Sequence, residues 1–123
     1  MKETVINAIK RLMVQGEQCL VDGKDSHCLY YKDGKRCIVG WMLTEDSAKE
    51  LKENELGVSR IPDHHFIASF GKVPEKKEMA WLKELQSIHD SSNYYDFYGS
   101  FKRFTEKSVA VKRLPKWVLE GFV

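Results

Sequence analysis

Apolar residues recur at helical spacing over residues 4–15, where Val5, Ile6, Ile9, Leu12 and Met13 oppose Lys10, Arg11 and Gln15. This pattern predicts an amphipathic helix ended by Gly16. A polar loop, Asp22-Gly23-Lys24-Asp25-Ser26, follows it. Two β-prone runs, Cys28-Leu29-Tyr30-Tyr31 and Arg36-Cys37-Ile38-Val39, then flank Lys32-Asp33-Gly34-Lys35. Asp-Gly at that place predicts a β-hairpin over residues 28–39, because a type I′ turn needs positive φ at both central residues. In this register Tyr31 faces Arg36, Tyr30 faces Cys37, Leu29 faces Ile38 and Cys28 faces Val39. Alternation puts Cys28, Tyr30, Cys37 and Val39 on one side of the ribbon.

The apolar run Ile38-Val39-Gly40-Trp41-Met42-Leu43 reads as a passage through the core. Thr44 then caps a helix that carries Ala48, Leu51 and Leu56 and ends at Gly57. A short helix runs from Pro62 to Phe70, with Gly71 behind it. The next extends from Pro74 to about His89 and turns Met79, Trp81, Leu82, Leu85 and Ile88 inward. Ser91-Ser92-Asn93 breaks it and caps another, in which Tyr94, Phe97, Tyr98, Phe101 and Phe104 recur every three or four residues. Val109-Ala110-Val111 and Pro115–Leu119 fit either a strand or a short helix. The expected fold class is α+β: a mainly helical single domain, residues 1–123, with one β-hairpin packed on helices.

Composition changes this picture little. An apolar share of 42% and a charged share of 31% suit an ordinary globular chain and argue against disorder. No apolar run approaches the roughly 20 residues that cross a bilayer. Met1–Val5 leads into no apolar stretch or cleavage site, so the expected location is the cytoplasm, with no membrane partner. The net charge of +2 neither demands nor excludes a polyanion. Charge is uneven, however. From Gly99 onward Lys102, Arg103, Lys107, Lys112, Arg113 and Lys116 face only Glu106 and Glu120.

Candidate chemistry is sparse. Cys19, Cys28 and Cys37 make an odd set, which argues against a disulfide framework. Cys28 and Cys37 are nine residues apart and form no close-spaced ligand pair, so no metal and no cofactor are expected. The ordinary role for both thiols is that of small buried hydrophobes. Cys37 and His89 are the weak candidates for a catalytic pair, with Tyr30 beside them in a small pocket. Neighbouring helical residues diverge by about 100°, which places Asp90 badly for orienting His89. A packed, satisfied histidine is the plainer account. His64-His65 reads as a solvated helix start, since adjacent helical residues do not readily share one ion. The aromatic run from Tyr94 to Phe104 is core-like by its spacing. With Lys102, Arg103 and Lys107 it also has the composition of a stacking surface for nucleic acid. Gly34, Gly40, Gly57 and Gly71 each have a turn or cap explanation, and no phosphate loop, G-x-S-x-G or H-E-x-x-H is present.

Two blocks carry a resemblance. Cys28-Leu29-Tyr30-Tyr31…Asp33-Gly34-Lys35-Arg36-Cys37-Ile38-Val39-Gly40 is similar to a C-x-Y…G-x-x-C-A-I-G block, with Ile38-Val39 standing for Ala-Ile. Leu85-Gln86-Ser87-Ile88-His89-Asp90 is similar to an L-Q-x-I-H-D block. Together they resemble a loose family of small uncharacterised proteins encoded by tailed phages and prophages, over about residues 5–105. The resemblance implies a phage accessory protein in the bacterial host cytoplasm, of a kind used in host takeover, and brings no activity with it. The leading expectation is non-enzymatic binding to a host or phage macromolecule, most simply a protein such as a host-defence component. The expected contact residues are Tyr30, Tyr94, Tyr95, Tyr98, Lys102, Arg103 and Lys107. The alternatives are a Cys/His enzyme or ligand pocket, and nucleic-acid binding by the basic, aromatic C-terminal third.

Overall fold

A computed structural model describes residues 1–19, 29–51 and 57–123. Its elements are α1 (Lys2–Gln15), α2 (Ile38–Met42), α3 (Glu45–Leu51), α4 (Asp63–Phe70), α5 (Lys76–Ser91) and α6 (Phe97–Ala110), with 3₁₀ turns at Val58–Arg60 and Lys116–Phe122. The molecule is mainly helical, with no sheet among the described residues. The α+β expectation is therefore overturned.

The turn itself is where the sequence puts it. Asp33 and Gly34 both take positive φ, 52° and 83°, and Lys32 and Lys35 exchange two 2.9 Å backbone hydrogen bonds. The ladder then stops. Its next bonded pair would be Tyr30 with Cys37. Instead the Cys37 N–H donates to Leu29 O at 3.2 Å, and Cys37 becomes the N-cap of α2. Its Sγ accepts from the Gly40 N–H at 3.4 Å. The outward-facing peptide of Arg36 is closed by a side chain: its N–H donates to Gln15 Oε1, and Gln15 Nε2 donates to its carbonyl, both at 2.9 Å.

Ile38 and Val39, β-formers by propensity, are helical because packing decides. Ile38, Val39, Gly40 and Met42 are all buried, and α2 lies against both α1 and α5. Gly40 serves close approach rather than a turn or cap. A Cβ there would stand 2.2 Å from Tyr30 O. Cys28, which was to share a face with Cys37, lies outside the described residues, as does Leu56.

The other helices follow their signals. Gly16 (φ 72°) and Gly71 (φ 77°) end α1 and α4 in the left-handed conformation. Thr44 Oγ1 accepts from the Ser47 N–H at 3.2 Å to start α3. Glu78 Oε1 accepts from the Glu75 N–H at 2.9 Å, tying off the start of α5. The last long helix begins later than expected. Asn93 Oδ1 accepts from the Tyr95 N–H (2.8 Å) in a turn of its own, and Asp96 caps α6 through the Gly99 N–H (3.2 Å).

One contiguous core joins Val5, Ile9 and Leu12 of α1, Ile38 and Val39 of α2, Leu82 and Leu85 of α5, and Phe97 and Phe101 of α6. The C-terminal 3₁₀ turn closes it. Val118 is fully buried, Trp117 meets Trp81 edge-on at 5.6 Å, and Phe122 packs on Phe101 at 5.9 Å. Replacing Gly40 by Ala sets a methyl group against a backbone carbonyl that has no room to retreat. Such overpacking is expected to cost about 1–3 kcal/mol. Urea unfolding measures it, and a midpoint equal to wild type would contradict the close approach.

Candidate functional site

Just after α1, Gln18 and Cys19 take hydrogen-bond partners from the end of α5. Gln18 Nε2 donates to the carbonyls of His89 (2.9 Å) and Ser92 (2.7 Å) at the end of α5. Next along the chain, the Cys19 N–H donates to His89 Nε2 at 3.3 Å. An Nε2 that accepts leaves the proton on Nδ1, and Nδ1 lies 2.8 Å from Asp90 Oδ1. Asp90 therefore does orient the ring, against the expectation drawn from the 100° divergence of neighbours. Rotamer freedom at a helix end brings the two side chains together. Gln86 Nε2 donates to the same Asp90 Oδ1 at 3.0 Å, while its Oε1 accepts from the Val39 N–H at 3.3 Å in the first turn of α2.

The thiol–imidazole candidates are thus placed but sealed. His89 and Cys37 are both 0% exposed, and Tyr30 is buried as well. His89 has both ring nitrogens engaged and its ring against Phe97 at 5.7 Å. Among the described residues the thiol that neighbours Cys37 is Cys19, joined to it through Leu29. Leu29 N–H donates to Cys19 O, and Leu29 O accepts from the Cys37 N–H. Burial, and next the charge of Cys37, push the Cys19 thiol from 9.0 up to about 12. Neither pKa nor exposure marks it as a nucleophile.

Beside this cluster stands a group not foreseen from the sequence. Arg36 is buried, its guanidinium 4.6 Å over the Trp41 ring and 5.7 Å over that of Tyr31, and Arg11 covers Trp41 at 5.8 Å. Among the described residues no carboxylate pairs with Arg36. Burial, partly offset by Glu45, holds its pKa below the ordinary value. Gln15 Oε1 also takes the Trp41 Nε1–H at 2.9 Å. A groove of about 530 Å³ runs past Lys10, Arg11, Val14 and Trp41. The available signal was Gln86, a polar residue four positions after Leu82 on the apolar face of its helix; Gln15, on the polar side of the first helix by its spacing, gave none.

The aromatic run of the C-terminal third divides. Phe97 and Phe101 enter the core, while Tyr94 and Tyr95 are 77% and 94% exposed and Tyr98 and Phe104 are exposed on α6. Tyr94 and Tyr95 meet edge-on at 5.3 Å. Lys102 is half-buried, and Arg103 reaches back to Asp96 Oδ2 at 3.4 Å. Lys107 is exposed and lines a separate groove of about 510 Å³ between α5 and α6, with Glu84, Phe104 and Arg113. The binding candidates therefore fall in three places: Tyr30 in the core, the three tyrosines around the start of α6, and Lys107 farther along it.

His64 and His65 depart from expectation as well. His64 is exposed, but His65 is buried, and their ligand atoms lie with that of Glu50 within 4.8 Å of one another. No helix among the described residues is long and apolar enough to cross a membrane. Comparison with protein-family models, curated proteins and solved structures finds no match to this chain.

Replacing His89 by Leu leaves the Cys19 N–H buried without an acceptor and frees Asp90. A loss of about 2–4 kcal/mol is expected from the orphaned donor and lost packing. Chemical denaturation checks it, and a cost below about 1 kcal/mol would remove His89 from the role of anchor. For Cys19, a raised thiol pKa means that the folded chain keeps its proton longer than the unfolded one. That contribution to stability is whole below about 9 and drains away as pH climbs towards about 12. Cys19→Ala is expected to flatten this part of the alkaline loss, and stability curves of equal slope for both proteins would contradict it.

Proposed function

We propose that the protein works by non-enzymatic binding, engaging a protein partner through Tyr94, Tyr95 and Tyr98 at the start of α6. The single observation behind this reading is the division of polar chemistry. The Cys37 thiol and the His89 imidazole are closed into backbone hydrogen bonds, whereas three tyrosines stand open to solvent. Tyrosine offers a large, rigid contact area with a polar tip and loses little rotamer entropy on docking. Such residues recur at the energetic centres of interfaces.

A protein suits this surface better than a nucleic acid. Phosphate binding calls for unpaired cations. Here Arg103 is engaged by Asp96, a carboxylate beside the tyrosines, and Lys102 is half-buried. The context proposed with it is that of a phage-type accessory protein acting in the bacterial cytoplasm on a host or phage component, as the sequence resemblance implies.

Affinity capture from bacterial lysate with the wild-type chain, followed by titration of the captured protein, tests the reading. The Tyr94→Ala/Tyr95→Ala variant is expected to keep its melting temperature and to lose affinity about 30-fold or more, since anchors of this kind contribute about 2 kcal/mol or more. A partner held equally well by the variant would refute the site. Capture of nucleic acid instead, falling steeply with added salt, would refute the choice of partner.

A further inference from the structure

We propose that Glu50, His64 and His65 form a binding site for a divalent transition-metal ion of the Zn²⁺ type between α3 and α4. The proposal is independent of the tyrosine surface and rests on other residues. Two imidazoles and a carboxylate converge from two helices, their ligand atoms within 4.8 Å of one another. His65 Nε2 stands 3.8 Å from Glu50 Oε2. Ligands about 2.0–2.1 Å from a tetrahedral ion lie roughly 3.3–3.4 Å apart, so this pair needs to close by only about 0.5 Å. Glu50 and His64 are exposed and free to make such an adjustment, while His65 is buried and fixed.

The fixing is informative. His65 Nδ1 lies 2.9 Å from Ser47 Oγ on α3. A hydrogen bond from Nδ1–H to that hydroxyl leaves Nε2 unprotonated and aimed at Glu50. This is the arrangement by which an outer partner sets the tautomer of a ligating histidine. The rings of His64 and His65 are 4.0 Å apart, so residues adjacent in the chain share one locus. Imidazole with carboxylate favours Zn²⁺ and its neighbours over Ca²⁺ or Mg²⁺, which take oxygen ligands. The N-terminus of α4 opposes a cation with roughly half a positive charge. The full negative charges of Glu50 and Asp63, the latter in the same first turn, outweigh it. Three protein ligands at an exposed edge leave a position for water.

Calorimetric titration of the tag-free chain with ZnCl₂ is expected to give one ion per chain. Glu50→Gln and His64→Gln, both at exposed positions, should each weaken binding about 10-fold or more. The metal-free variants should melt with the wild type, which separates ligation from folding. Co²⁺ in place of Zn²⁺ should give d–d absorption without a thiolate charge-transfer band, setting the site apart from Cys19 and Cys37. No stoichiometric binding, binding that survives both substitutions, or a sulfur band would each overturn the proposal and leave an ordinary histidine–glutamate contact.

Discussion

Three glutamines and a histidine bind backbone groups at the ends of the helices and in the turn that precedes α2. Gln15 closes both polar groups of the Arg36 peptide, Gln18 the last carbonyls of α5, Gln86 a free N–H of α2, and His89 the N–H of Cys19. A buried backbone group left unpaired costs about 1–3 kcal/mol. Several such costs together rival the whole net stability of a small domain. The chain can therefore leave β-geometry at Arg36 with residues 36–40 still buried, and α2 can sit against both α1 and α5.

This constraint also explains which parts of the fold were legible in the sequence. Apolar periodicity, capping residues and terminal glycines located α1, α3, α4 and α5, because those signals act within a few residues. The Asp33-Gly34 turn was legible for the same reason. The hairpin was not a hairpin because its continuation depended on partners far along the chain. Gln15 and Gln86 compete for the strands' hydrogen bonds, and the close approach of Gly40 to Tyr30 rewards a helix. Nothing local distinguishes Ile38-Val39 in a buried helix from Ile38-Val39 in a strand. At the candidate site, spacing alone could not divide Phe97 and Phe101 from Tyr98 and Phe104, nor see that Tyr94 and Tyr95 precede the helix. The nearness of Cys19 to Cys37, and of Glu50 to His65, is tertiary information throughout.

The distribution of chemistry follows the same logic. His89 resembles a catalytic histidine in having a carboxylate on one nitrogen, yet its other nitrogen accepts a backbone N–H where a substrate or nucleophile would have to be. The dyad is turned inward as a structural clamp. Outward-facing chemistry lies instead at the ends of helices: the tyrosines before and in the first turn of α6, and the histidines in the first turn of α4. Both are places where side chains diverge from the packed faces.

The C-terminal turn carries a consequence for how the chain comes to fold. Gly121 is pressed so closely on Ile9 that a Cβ would stand 2.6 Å from that side chain, and Val118 fills the core beside it. The inner face of α1 is covered by α2 and by residues 116–122, which lie roughly a hundred positions later in the chain. That closure is a long-range contact between distant segments, whose loop-closure entropy has to be met before the contact rewards it.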